Sequence, residues 1–112
     1  ATPPVILLQA DEGPAPERFR RDGMRFNWRT ATAEELSEKT GILNAYLLPG
    51  VESVPLHPSI TPVNSFRVIF NAYFGTNLPL LPDRIFAHEE DRHPYRLFEI
   101  THQVHRQPRA PN

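Results

Sequence analysis

The sequence predicts an α/β fold. Two apolar runs, the second interrupted only by Asn44, end in turn residues, and two segments carry helix-start and helix-stop chemistry, in the order strand, helix, strand, helix. A third, late segment with partial alternation adds a candidate edge strand.

The first run, Val5, Ile6, Leu7 and Leu8, follows Pro3 and Pro4. Continuous apolar character predicts a strand over 4–10 covered on both faces. It ends in Gln9-Ala10-Asp11-Glu12-Gly13-Pro14, where two carboxylates precede a Gly-Pro breaker. Residues 13–31 mix Pro, Arg, Asp and Gly with isolated large groups at Phe19, Met24, Phe26 and Trp28, which reads as a long surface loop pinned by aromatics. Thr32-Ala33-Glu34-Glu35 matches a capping box and predicts a helix over 33–40, closed by Gly41.

Ile42, Leu43, Ala45, Tyr46, Leu47 and Leu48 predict a second buried strand over 42–48, stopped by Pro49-Gly50. Strand, helix, strand favours a right-handed crossover and therefore a parallel pair. Thr61-Pro62 supplies an N-cap with proline at the first helical position, and Gly75 stands past the far end, so a helix is predicted over 62–74. Phe66, Ile69, Phe70 and Tyr73 recur at helical spacing and are expected to pack on the sheet. Residues 83–94 are strongly polar and read as a loop, and Tyr95, Leu97 and Ile100 suggest a strand over 95–101. A single α/β domain is expected over 1–102, with a frayed tail over 103–112.

Twelve basic and thirteen acidic residues leave a net charge of −1, too little for the positive field that draws a chain to nucleic acid. With no cysteine, disulfide scaffolds, thiolate zinc sites and cysteine nucleophiles are excluded. No apolar run approaches the roughly 20 residues of a spanning helix, and no basic, apolar leader opens the chain. A beginning at Ala1, with strand-like sequence by Val5, suggests either a portion of a longer protein or a processed end.

Asp11 and Glu12 are the leading candidate site. In open α/β sheets ligands bind beyond the carboxyl ends of strands, where adjacent carboxylates present hard oxygen ligands to a metal. The alternative is an Asx-type turn at Asp11 with Glu12 solvated. His88-Glu-Glu-Asp-Arg-His93 concentrates ligands but fits no standard zinc spacing, so a solvated charged loop is the better reading. His57 lacks a neighbouring partner in sequence, and Phe19, Phe26 and Trp28 suit a core better than a pocket. No glycine-rich phosphate loop or nucleophile elbow is present.

The strings Val5-Ile-Leu-Leu-Gln-Ala-Asp-Glu-Gly13, Ile42-Leu-Asn-Ala-Tyr-Leu-Leu-Pro-Gly50 and Ser59-Ile-Thr-Pro-Val-Asn-Ser-Phe-Arg67 resemble the C-terminal part of sulfatase-like proteins of the alkaline phosphatase superfamily. Val68-Ile-Phe-Asn-Ala-Tyr-Phe-Gly75 and Leu78-Pro-Leu-Leu-Pro-Asp83 extend the likeness, which covers most of 5–101. The resemblance is in particular to bacterial membrane proteins that carry an exported sulfatase-like domain. The resemblance implies part of an alkaline-phosphatase-like sheet, an anionic sulfate or phosphate ester substrate, and a membrane-anchored parent on the extracytoplasmic face. In that superfamily a strand ends in Asp-His-Gly, whose Asp and His bind a divalent metal. Asp11 matches the Asp, and Glu12 stands in place of the His. Carboxylate for imidazole shifts the preference toward Ca²⁺, Mg²⁺ or Mn²⁺ over zinc. The superfamily's nucleophile belongs to its N-terminal half, which nothing here resembles, so the isolated chain is expected to be inactive. A sheet cut from a larger one is also expected to pair into a homodimer.

Overall fold

The structure, a computed structural model, describes residues 2–105. It is mixed α/β. In chain order it contains β1 (Ile6–Gln9), α1 (Glu17–Asp22), single 3₁₀ turns at Gly23–Arg25 and Trp28–Thr30, α2 (Ala33–Thr40), β2 (Asn44–Leu47), α3 (Pro62–Tyr73), β3 (Phe86–His88), β4 (Leu97–Glu99) and α4 (Thr101–His105). The strands form two two-stranded sheets, β1 with β2 and β3 with β4. The chain divides into two compact units, Ala1–Ile6 with Tyr46–Arg84, and Leu7–Ala45 with Ile85–Asn112.

In the second unit, α2 begins as its sequence dictates. The Thr32 side chain accepts the Glu35 amide at 3.2 Å and Glu35 Oε2 accepts the Thr32 amide at 2.8 Å, which completes the capping box. Arg18 of α1 adds a fork to the same carboxylate, donating Nε at 2.8 Å and Nη2 at 2.6 Å. The loop expected over 13–31 is therefore largely ordered into α1 and the two 3₁₀ turns, because Arg18 and the aromatic anchors fix it. Phe26, Trp28 and Leu36 are buried with Ala87 and Ile100, and Phe19 packs against them. Phe26 meets Trp28 edge-on at 4.7 Å between ring centres, a favoured aromatic geometry.

The expected parallel crossover is not what forms. The Gly13 amide donates to Lys39 O at 2.6 Å, so the connection leaving β1 is bound to the end of α2. With start and finish of the connection held together, β2 begins where β1 ends and returns antiparallel. The Ala10 amide donates to Leu43 O at 2.9 Å, and Gln9 Nε2 donates to Asn44 Oδ1 at 3.0 Å. Both strands are shorter than expected, and β1 is not covered on both faces, since Ile6 and Leu8 are exposed.

The strand expected over 95–101 shrinks to β4, because Thr101 begins α4. Its partner β3 lies within the stretch 83–94 read as a polar loop, with Phe86 opposite Glu99, Ala87 opposite Phe98 and His88 opposite Leu97. The buried positions, Ala87 and Ile100, are few and separated, so no apolar run betrays this hairpin. Of the tail expected over 103–112, residues 103–105 lie in α4 and the remainder is outside the described residues.

In the first unit, α3 runs close to its predicted bounds, but only part of its predicted face turns inward: Ile69 is buried and Tyr73 half-buried, whereas Phe66 and Phe70 are exposed. Asn64 exchanges two hydrogen bonds with the Leu81 backbone at 2.7 and 2.9 Å, and Asn71 does the same with Leu78 at 2.8 and 2.7 Å. Arg67 donates to Pro79 O at 2.9 Å. These side chains bind the extended segment 78–81 in place of a strand, which draws the polar side of α3 inward. Asn64, Ser65, Val68 and Ile69 are buried, while Phe66, Phe70 and Phe74 stack on one another in the open. The expectation that Phe66 and Phe70 pack on the sheet is corrected accordingly.

Gly13 admits no side chain. A Cβ there falls 2.1 Å from Glu38 O and 2.9 Å from Lys39 O. Gly13→Ala is expected to cost about 1–3 kcal/mol through forced backbone separation, read as a lower urea midpoint. The second prediction concerns acid. The Arg18 fork, followed by the Thr32 bonds and opposed by partial burial, holds the Glu35 carboxyl down at about 2. Because the folded-state value is depressed, the stabilisation is present at neutral pH and lost as pH falls from about 4.5 towards about 2. Urea midpoints measured across that window should decline in the wild type and decline less in Glu35→Gln.

Candidate functional site

The carboxylates at the end of β1 are positioned by the Gly13 contact just described. Asp11 is exposed, and its Oδ1 accepts the amide of the next residue, Glu12, at 3.0 Å, a local bond one residue shorter than that of an Asx turn. Glu12 Oε2 accepts from Lys39 Nζ at 3.0 Å. Lys39, in the last turn of α2, also lies 4.5 Å over the Trp28 ring, so one ammonium is shared between a carboxylate and an aromatic face. The cation itself is well covered, with 18% side-chain exposure against 63% for Glu12.

These groups border a cleft of about 230 Å³. Phe19, Trp28 and the 13–15 backbone turn give it apolar walls, and Glu12, Lys39, His88 and Asp91 give it charge. Trp28 Nε1 is buried without a protein acceptor. Asp11 does not line this cleft but precedes its Glu12 edge by one residue. Both oxygen donors suit a hard cation, but their number falls short of the six or more ligands such ions take. Among the described residues no group of three or more His, Cys, Asp or Glu converges on one point. The residues present therefore do not by themselves make a metal centre.

The charged stretch 88–93 forms the turn of the β3–β4 hairpin. His88 Nε2 contacts Asp91 Oδ1 at 2.8 Å, His93 Nδ1 contacts Glu90 Oε1 at 2.6 Å, and Arg29 reaches Glu89 at 3.5 Å. Both histidines are thus paired with acids of the same stretch and Glu89 with Arg29 outside it, while His88 and Asp91 also reach the cleft, a role that spacing does not reveal. His102 and His105 are exposed on α4.

His57, solitary in sequence, proves to be partnered. Its Nε2 lies 3.0 Å from Asp83 Oδ2, and its Nδ1 lies 3.1 Å from Ser59 Oγ. Asp83 Oδ1 accepts from the Thr61 amide and hydroxyl, both at 2.7 Å, and from Asn64 Nδ2 at 2.9 Å. Burial pushes the Asp83 carboxyl up, but these donors, with His57, outweigh it and hold the group below the usual carboxylate range. Asp83 is 22 residues from Thr61 and belongs to no periodic pattern, so sequence reasoning had no handle on it.

Comparison with protein-family models, with curated proteins and with solved structures finds no match.

The cleft's one covered cation makes a direct prediction. Inorganic sulfate entering it competes with Glu12 for Lys39 and perturbs the ring beneath. Titration of sulfate is expected to change the emission of Trp28, the sole tryptophan, in a saturable manner. Lys39→Met, which keeps the aliphatic stem over the ring, should abolish that response.

Proposed function

We propose that this chain is the C-terminal portion of a sulfatase-like hydrolase or transferase that acts on sulfate or phosphate esters through a divalent metal, and that it does not turn over alone. The observation that carries the reading is the placement of the Asp11-Glu12 pair where β1 ends, beside a cleft that also holds Lys39 and His88. Carboxylates for a hard cation and a covered ammonium for an anion are brought side by side by the fold, which is the donor set an anionic ester with its metal requires. The motif likeness over most of 5–101 supports the same reading, including β1 and β2 as part of an alkaline-phosphatase-like sheet.

In this reading Asp11 would be a direct ligand of the metal, as the resemblance implies. Glu12, already bound to Lys39, orients that cation toward the ester rather than serving as a full ligand. The remaining ligands come from groups outside the described residues, and Ca²⁺, Mg²⁺ or Mn²⁺ suits the oxygen set better than zinc. The resemblance further suggests a membrane-anchored parent with this portion on the extracytoplasmic face of a bacterial membrane. Among the described residues no helix is long and apolar enough to cross one. Exposed Leu8 on β1 and Leu43 just before β2 suit pairing of the isolated chain with a second copy.

A specific observation favours a second reading. Both carboxylates already have structural employment, Asp11 in its own turn and Glu12 on Lys39, as expected of a non-catalytic binding module. Calorimetric titration with Mn²⁺ separates the two. The first reading expects binding on the order of millimolar, as befits a partial site, and its loss in Asp11→Ala. Equal affinity in that variant removes the metal role, and a surviving sulfate response then leaves the binding module.

A further inference from the structure

Ser59, His57 and Asp83 form a relay in the unit that contains α3, apart from the cleft. Asp83 is anchored at one oxygen by three donors from Thr61 and Asn64, which leaves Oδ2 for the His57 ring. Because an ionised carboxylate accepts only, the imidazole must turn an N–H toward it at Nε2. The proton of a neutral ring is then on Nε2, and Nδ1 presents its lone pair to Ser59 Oγ, 3.1 Å away. The opposite tautomer sets a lone pair against the carboxylate. Asp83 thereby selects the one form of His57 that can accept the serine proton, which is the logic of a serine nucleophile with an oriented base.

Two further features fit. The Thr61 hydroxyl, at the N-cap of α3, makes no capping bond to its helix and is spent on Asp83 instead. The anchor is well covered, with 17% side-chain exposure, while His57 is 40% exposed and Ser59 is exposed, so the base is held from beneath and the hydroxyl is open to small reagents.

We propose that Ser59 is a base-activated nucleophile that accepts an acyl group from activated esters, with His57 as its general base and Asp83 as the positioning residue for that base. Ser59 Oγ bonds to the acyl carbon while its proton passes to His57 Nδ1. The bond from that carbon to the ester's leaving oxygen breaks, the phenolate departs, and the imidazolium returns its proton to solvent. The product is an acyl-serine, with no oxidant or metal required.

The test uses the 112-residue chain with p-nitrophenyl acetate, following nitrophenolate release and locating the acetyl group by peptide mass mapping. The expected result is acetylation at Ser59, its loss in Ser59→Ala, and a fall of about 100-fold in rate in His57→Gln. Both variants alter exposed residues, and far-UV circular dichroism checks that each remains folded. Asp83→Asn, scored only where its circular dichroism is native, should slow acylation and alter its pH profile, which a purely structural anchor leaves unchanged. Acetyl on any residue other than Ser59, or a His57→Gln rate within about tenfold of wild type, overturns the proposal.

Discussion

The Gly13 amide on the last carbonyls of α2 is the contact on which the rest of its unit depends. A hydrogen bond of 2.6 Å closes the connection between β1 and β2. That closure turns the strand pair antiparallel, brings Glu12 within reach of Lys39, and holds Lys39 over Trp28. The cleft is the space left between these groups. A glycine is required because the approach is backbone to backbone, closer than any Cβ permits.

Both helix starts obey one rule by different routes. At α2 the acceptor is Glu35, local to the helix, which caps the first turn and holds Arg18. At α3 it is Asp83, brought from beyond the helix, which gathers the Thr61 amide and hydroxyl together with Asn64 and then holds His57. In each case a carboxylate satisfies donors at a helix N-terminus and keeps a coordination position for a basic side chain. The first holds a guanidinium and serves stability. The second holds an imidazole and leaves chemistry available.

Helices 33–40 and 62–74 were legible because capping box, N1 proline and terminal glycine are local signals. The positions of β1 and β2 were legible from apolar runs, but their direction was not, since it follows from the Gly13 contact with Lys39. The face of α3 is legible only in part, at Ile69, for a related reason: its neighbour is a proline-rich strand substitute, bound by Asn64, Arg67 and Asn71, and periodicity assigns Phe66 and Phe70 inward whatever the neighbour is. β3 escaped notice because its buried content is the single Ala87. At the site, Asp11 and Glu12 were visible as a pair, while Lys39, His88 and Trp28 joined them only through tertiary folding.

Neither compact unit is a continuous stretch of chain, since each is built from two segments that alternate along the sequence. The aromatic pair Phe26 and Trp28 shares its core with Ala87 and Ile100, roughly sixty to seventy residues further along the chain. That core therefore rests on contacts of long sequence separation, whose loop-closure entropy must be overcome before they reward the chain, so its sealing is slower than formation of the local helices that flank it.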